Sequence, residues 1–255
     1  METIGGDSFG GIYVDVKANK LIVNINNPAL ENSTLLDPFR DFLLFNIVIK
    51  SLDEFPRKHV PMRPRQVKPK VLAGEGVFNR DTRIKNDVVG KICSIGFYAR
   101  GKKRDRRSNA TSYIITARSC YFKDSNLANS IVLRNWNTFP PVRYSELFIT
   151  DARPATIVGG HICHSGFGTH VTCGNIKSLT AIYLNEDGSS SEGLIITDMN
   201  TRVEDIGGAV FFYKSTESHH VDLCGIQVIS GSNLAAVLPS NIILENTKHL
   251  TLYKL

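Results

Sequence analysis

The sequence predicts a mainly-β fold, a barrel or sandwich, with a small α/β module in front of it. Three observations carry that expectation. From residue 71 onward, short apolar runs alternate with turn residues at regular spacing. Before residue 54 a hairpin, a helix and a strand follow one another, and a basic, proline-rich stretch separates the two patterns. The expected organisation is therefore a module over 1–54, a linker over 55–70 and a β domain over 71–255. At 255 residues, 42% hydrophobic and 21% charged, the chain is long enough to bury a full core with such an annex.

Residues 11 to 26 alternate apolar and polar on both sides of Lys17-Ala18-Asn19-Lys20, which reads as a β-hairpin. Asn32 or Ser33 can cap a helix running to about Phe45, with Leu35, Leu36, Phe39, Phe42 and Leu43 on one face and Pro38 in the first turn. Ile47-Val48-Ile49 reads as a further strand. In the linker, Pro56, Pro61, Pro64 and Pro69 remove backbone donors and favour an extended chain. Strands are then expected over 92–98, 112–116, 130–134, 147–150, 174–184, 194–197, 209–213 and 223–229, and a final helix over 239–249 with Ser240 as its cap.

The net charge of +6 is concentrated in Arg57, Lys58, Arg63, Arg65, Lys68 and Lys70, and again in Arg100, Lys102, Lys103, Arg104, Arg106 and Arg107. Both read as loops; the second lies between two strand-like runs and lacks aromatic stacking partners, so a solvated loop is expected there rather than a nucleic-acid surface. No apolar run reaches the roughly 18 residues of a membrane helix, and Met1 to Gly10 lacks the basic and apolar regions of a signal peptide. The five cysteines, Cys93, Cys120, Cys163, Cys173 and Cys224, are too far apart for a CxxC metal knuckle; two local pairs and one leftover fit better. Together with the acceptor triplets at Asn32 and Asn109 they lean towards an oxidising compartment.

Val203-Glu204-Asp205-Ile206-Gly207-Gly208-Ala209-Val210 is a tight turn feeding an apolar strand, because glycine alone takes strained dihedrals cheaply. The same residues carry a resemblance. Glu204-Asp205-Ile206-Gly207-Gly208 is similar to the Gly-Asp-Ser-Gly-Gly motif of chymotrypsin-like serine proteases, in the branch of α-lytic protease and the streptogrisins. Ile114-Ile115-Thr116-Ala117-Arg118-Ser119-Cys120 resembles that family's strand-Thr-Ala-x-His-Cys motif. The stretch from Cys163-His164-Ser165-Gly166 to Cys173-Gly174 resembles its disulfide loop, the most specific of the matches, and Cys93 to Phe97 its first core strand. Gly11 to Ile25 resembles the end of the family's pro-region. The resemblance spans most of the chain.

It implies two six-stranded antiparallel β-barrels and disulfides Cys93–Cys120 and Cys163–Cys173, each contributing about 2 to 4 kcal/mol. Cys224 is then left as a buried apolar thiol. It implies secretion; since the motif positions hold no active site for cleavage to release, the pro-like module is expected to remain attached. It also puts Ser119, Ser145 and Ile206 at the triad positions, with Glu146 one residue out of register, and Glu204 at the oxyanion position. A serine alcohol is too weakly basic to activate another alcohol, and an isoleucine offers no lone pair. A carboxylate beside the oxyanion donor would repel a developing anion.

The expectation is thus a catalytically inactive serine-protease homologue, not an enzyme, that binds a protein or peptide along Ser230, Gly231 and Ser232. Alternatives are an endopeptidase using displaced residues, such as Glu146 with a loop histidine, and an anionic-surface binder through residues 100–107. No cofactor or metal is expected: His161, His164, His170, His219 and His220 read as satisfied surface histidines.

Overall fold

The computed structural model describes residues 9–25, 27–34, 37, 40–41, 43–47, 72–80, 90–102, 111–120, 131–133, 147–184, 189–215, 219–231 and 234–254. The expected linker, the basic residues 103–107, Ser145, Glu146 and Ser232 lie outside these residues.

The chain opens on the expected hairpin, β1 (Phe9–Asp15) and β2 (Lys20–Ile25), paired antiparallel from Phe9↔Ile25 to Asp15↔Lys20. Asp15 Oδ1 accepts from the amides of Lys17 and Ala18, an Asx-type turn, and Asn19 takes the positive φ of 50°. Of the helix expected to run to Phe45, residues 35, 36, 38, 39 and 42 lie outside the described residues, and its two ends are not α-helical. Asn27 Oδ1 caps a 3-10 turn over Pro28–Asn32 through the Ala29 amide. Leu43–Ile47 forms β3, parallel to β2 with Leu21↔Leu43 and Ile25↔Ile47. Buried cross-strand contacts of Leu43 with Val23 and Ile25 outweigh the helical spacing of the apolar residues. Among the described residues this first segment holds three strands and 3-10 turns, and no α-helix is described in it.

Next come β4 (Gly76–Arg80), β5 (Gly90–Ser94), β6 (Phe97–Gly101), β7 (Ser112–Ile115) and β8 (Ile131–Leu133). The single strand expected over 92–98 is broken at Ile95-Gly96 into β5 and β6. After β9 (Phe148–Ala152) the chain runs through β10 (His161–Gly166), β11 (His170–Ser178), β12 (Ala181–Leu184), β13 (Ser190–Glu192) and β14 (Ile195–Thr197). It ends with β15 (Ala209–Tyr213), β16 (His220–Gly231), β17 (Leu234–Pro239), helix α1 (Ser240–Asn246) and β18 (Leu250–Leu252). Ser240 is the first helical residue rather than the cap; its hydroxyl donates to the Leu223 carbonyl at 3.4 Å.

Six strands close into one barrel. The order is β15-β10-β11-β14-β17-β16, and β16 pairs back to β15; β9 adds to β16 in parallel outside the ring. Ile162, Ile176, Ile195, Met199, Val210, Cys224, Ala235 and Val237 fill its interior. Cys224 is a free, fully buried thiol there, and burial pushes it up to about 12. The second barrel implied by the resemblance is absent among the described residues: strands β4 to β8 and β18 form two separate three-stranded sheets, β18-β6-β7 and β5-β4-β8. A buried layer of Phe97, Ala99, Ala209, Leu223, Ile226 and Leu250 packs β6 and β18 on the barrel.

The N-terminal hairpin joins this body by strand addition. β1 pairs with β12, giving a five-stranded sheet β13-β12-β1-β2-β3, and Tyr13 and Ile22 bury against Ala181, Leu194, Ile196 and Ala236. Tyr13 is 7% exposed. Tyr13→Ala is therefore expected to destabilise the whole protein by about 3 kcal/mol, measured by urea unfolding.

Candidate functional site

Val203–Asp205 forms a 3-10 turn, and the chain leaves it through a type II β-turn. Ile206 sits at φ −56°, ψ 129° and Gly207 at φ +96°, and the Gly208 amide donates to the Asp205 carbonyl at 2.9 Å. A Cβ on Gly207 would lie 2.2 Å from Thr116 Oγ1 and 2.4 Å from the Ser94 carbonyl oxygen, so both the dihedral and the space demand glycine. This turn is stitched to two neighbouring strands. The Ser94 amide donates to the Ile206 carbonyl at 2.8 Å, and the Ser94 hydroxyl to the Glu204 carbonyl at 2.7 Å. Gly207 donates to Gln227 and Gln227 to Gly208, which fastens the turn to β16.

The sequence motifs meet here. Arg118–Cys120 forms a 3-10 turn carrying the exposed Ser119, and Ala117, Cys120 and Cys93 make a buried cluster against which Ile206 and Val228 pack. Cys93–Cys120 is disulfide-bonded, as is Cys163–Cys173. Ser119 and Ile206 thus lie on segments in contact. The Ile206 amide donates back to the Val203 carbonyl at 3.3 Å, which engages it inside the turn. Ser230 Oγ lies 2.9 Å from Thr201 Oγ1, and Gly231 ends β16. Of the second basic cluster, Arg100 stacks on the Tyr253 ring at 4.6 Å.

Sequence reading placed His164 on the surface, and this is corrected. His164 and Asp205 are both fully buried, with His164 Nε2 3.7 Å from Asp205 Oδ2. Asp205 Oδ1 accepts from the amides of Gly168 at 2.7 Å and Thr169 at 3.0 Å. Its Oδ2 accepts from Thr169 Oγ1 at 2.7 Å and the Arg202 amide at 2.8 Å. Since the Thr169 proton goes to Asp205, its oxygen is left to accept from His164 Nε2–H at 3.4 Å; the network assigns that tautomer. His164 Nδ1 has no hydrogen-bond partner among the described residues. Burial outweighs the attraction of the carboxylate and lowers the imidazole to about 4. The sequence named both residues in separate motifs; their pairing depends on the barrel bringing β10 under the turn. One further group, His161, Cys163 and Cys173, has its ligand atoms within 4.8 Å of one another.

A closed six-stranded β-barrel with this glycine turn between two disulfide-bonded segments is the chymotrypsin-like fold. The structure is similar to that of Thermobifida fusca protease A at a TM-score of 0.51 and 18% identity, over 72% of this chain and 98% of that one. It also matches Cellulomonas bogoriensis chymotrypsin at a TM-score of 0.49 and 20% identity, over 72% and 99% of the two chains. Comparison with family models gives no match. Comparison with curated sequences gives none either. The expectation that the protein is not an enzyme is corrected here: the fold is that of a serine protease and holds a buried imidazole–carboxylate pair, so a degenerate triad is not established.

Two outcomes are expected. Gly207→Ala should cost roughly 3 kcal/mol in urea unfolding, from the strained dihedral and the overlap together. For His164, the folded protein stays neutral down to about 4 whereas the unfolded chain takes up a proton near 6.5. The unfolded state therefore binds more protons in that window, and stability falls as pH drops through it, by roughly 3 kcal/mol at most, then levels off. Unfolding free energies measured across pH should lose this slope in His164→Gln.

Proposed function

We propose that the protein binds an extended peptide or protein segment along the end of β16, on a serine-protease-type scaffold. The observation that supports this is the edge of residues 228–231. Ile229, Ser230 and Gly231 pair with Ala236, Ala235 and Leu234 of β17 on one side. On the other side the last main-chain bonds are those between Gln227 and the glycine turn; beyond them no strand lies against this edge among the described residues. The four residues are half-exposed. An incoming strand would supply the missing ladder, as in β-augmentation, with main-chain bonds for affinity and side-chain pockets for selectivity. Ile206 and Val228, packed on the Cys93–Cys120 disulfide, would form an apolar floor beside it.

In this reading Ser119, Ser145, Ile206 and Glu204 are the counterparts of the family's triad and oxyanion residues, and Ser230, Gly231 and Ser232 are the peptide-pairing strand. The meeting of Ser119 and Ile206 on one disulfide-bonded cluster supports the first assignment, and the Thr201–Ser230 contact, which holds the strand end, supports the second. The hairpin bound to β12 is the pro-like module, retained in cis because its strand and core contacts are shared with the barrel. Two disulfides accord with an extracellular setting. The His164–Asp205 pair favours a second reading, hydrolysis through displaced residues, although an imidazole with no exposed surface reaches substrate only if the loop over it opens.

Screening a peptide library by fluorescence anisotropy tests both. A binder should lose at least tenfold in affinity when alternate amides are N-methylated, because the edge pairs through backbone donors. Retained affinity on N-methylation would sink the strand-pairing reading. Mass spectrometry of the same mixtures reads hydrolysis directly; cleavage that disappears in His164→Gln would establish the second reading.

A further inference from the structure

Beyond the peptide-binding edge, one surface of the barrel carries a set of metal-ligating side chains. His161 and Cys163 are two residues apart on β10, so both project from one face, and Cys173 lies directly opposite Cys163 on β11. Cys163 Sγ is 4.0 Å from His161 Nδ1, and the three ligand atoms lie within 4.8 Å of one another. His161 and Cys173 are exposed, Cys163 buried. We infer that the β10–β11 ribbon holds a thiol-gated metal site: when a dithiol reduces Cys163–Cys173, the two thiolates and His161 bind Zn²⁺ or a similar borderline-soft divalent cation, leaving the fourth position to solvent.

The chemistry balances. A thiolate of the dithiol attacks the exposed Cys173 Sγ, the sulfur–sulfur bond breaks, and Cys163 leaves as a thiolate. The second thiol of the reductant then displaces Cys173, so the dithiol is oxidised to its cyclic disulfide and the protein gains two thiols. Metal binding releases the remaining thiol protons to solvent.

The geometry is held without the covalent bond. β10 and β11 pair continuously from His161↔Asn175 to Gly166↔His170. The loop joining them is tied down by the Gly168 and Thr169 amides on Asp205. The Cα atoms of Cys163 and Cys173 are 4.0 Å apart, which this ladder maintains. Bond lengths of about 2.3 Å to sulfur and about 2.0 Å to imidazole put tetrahedral ligands roughly 3.5 to 3.8 Å apart, close to where the two reduced sulfurs and Nδ1 would stand.

Access makes the gate selective. Cys93 is 1% and Cys120 7% exposed, so a soluble reductant reaches Cys173 first. Cys224 is fully buried in the barrel and takes no part.

The test uses the full chain. Brief treatment with dithiothreitol and anaerobic desalting should release two thiols that alkylation and peptide mapping assign to Cys163 and Cys173, with the circular dichroism spectrum unchanged. Zn²⁺ should then shield both from Ellman's reagent at one ion per chain, and Co²⁺ should give the intense visible bands of a tetrahedral thiolate site; the oxidised protein should show neither. His161→Asn should weaken Zn²⁺ at least tenfold with the same thiols released, and His161→Cys should restore tight binding. Release of Cys93 and Cys120 first, unfolding on reduction, lack of shielding by Zn²⁺, or unchanged Zn²⁺ affinity in His161→Asn would each overturn the site.

Discussion

The carboxylate of Asp205 is the point on which the site's architecture rests. Fully buried, it accepts hydrogen bonds from the amides of Gly168, Thr169 and Arg202 and from the Thr169 hydroxyl. Those donors come from two separate parts of the chain, the β10–β11 loop and the turn before β15. A buried carboxylate is tolerated only when its oxygens are satisfied in this way, and each such charge-assisted bond is stronger than a neutral one. Gly166 leaves the room: a Cβ there would lie 2.4 Å from Asp205 Oδ1. His164 completes the network from below as a neutral donor, which is why burial can lower its basicity without leaving an unpaired charge beside the carboxylate.

From this hub the constraints pass outward through backbone contacts. Asp205 fixes the 3-10 turn, the turn presents Ile206, and Gly207 and Gly208 let it lie against Ser94, Thr116 and Gln227. The Cys93–Cys120 disulfide packs on Ile206 from the other side. The closed barrel meets the β6–β18 layer through Phe97, Ala99 and Leu250, and meets the Cys93–Cys120 cluster through Ile206 and Val228; the half-exposed strand end at Ser230 and Gly231 continues from Val228. The N-terminal hairpin is placed by a separate device, a strand-to-strand edge with β12 and a shared apolar layer.

Much of this could be read along the chain. The hairpin of β1 and β2, the strands β15 and β16, the last helix and both cysteine pairings follow from alternation, turn residues and motif order. The glycine turn was legible because a positive φ at Gly207 leaves a glycine behind in the sequence. Other elements were not. Leu43 and Phe45 satisfy helical spacing as well as strand alternation, and β2 as a parallel partner decided between them. The strands β10 and β17 were missed since their residues are buried on both faces or interrupted by polar ones, so neither shows a clean period of two.

What the sequence determined by itself was local: where the chain turns, which glycines are obligatory, which segments prefer to be extended, and which motifs it shares with a protease family. Only the tertiary structure decided how those segments combine. It closed one barrel rather than two among the described residues, buried His164 instead of exposing it, and brought His161 beside the Cys163–Cys173 pair. The physical reason is that burial and cross-strand pairing are properties of neighbours far apart in sequence. Asp205 and Gly168 are separated by 37 residues, and only the barrel's closure makes them partners.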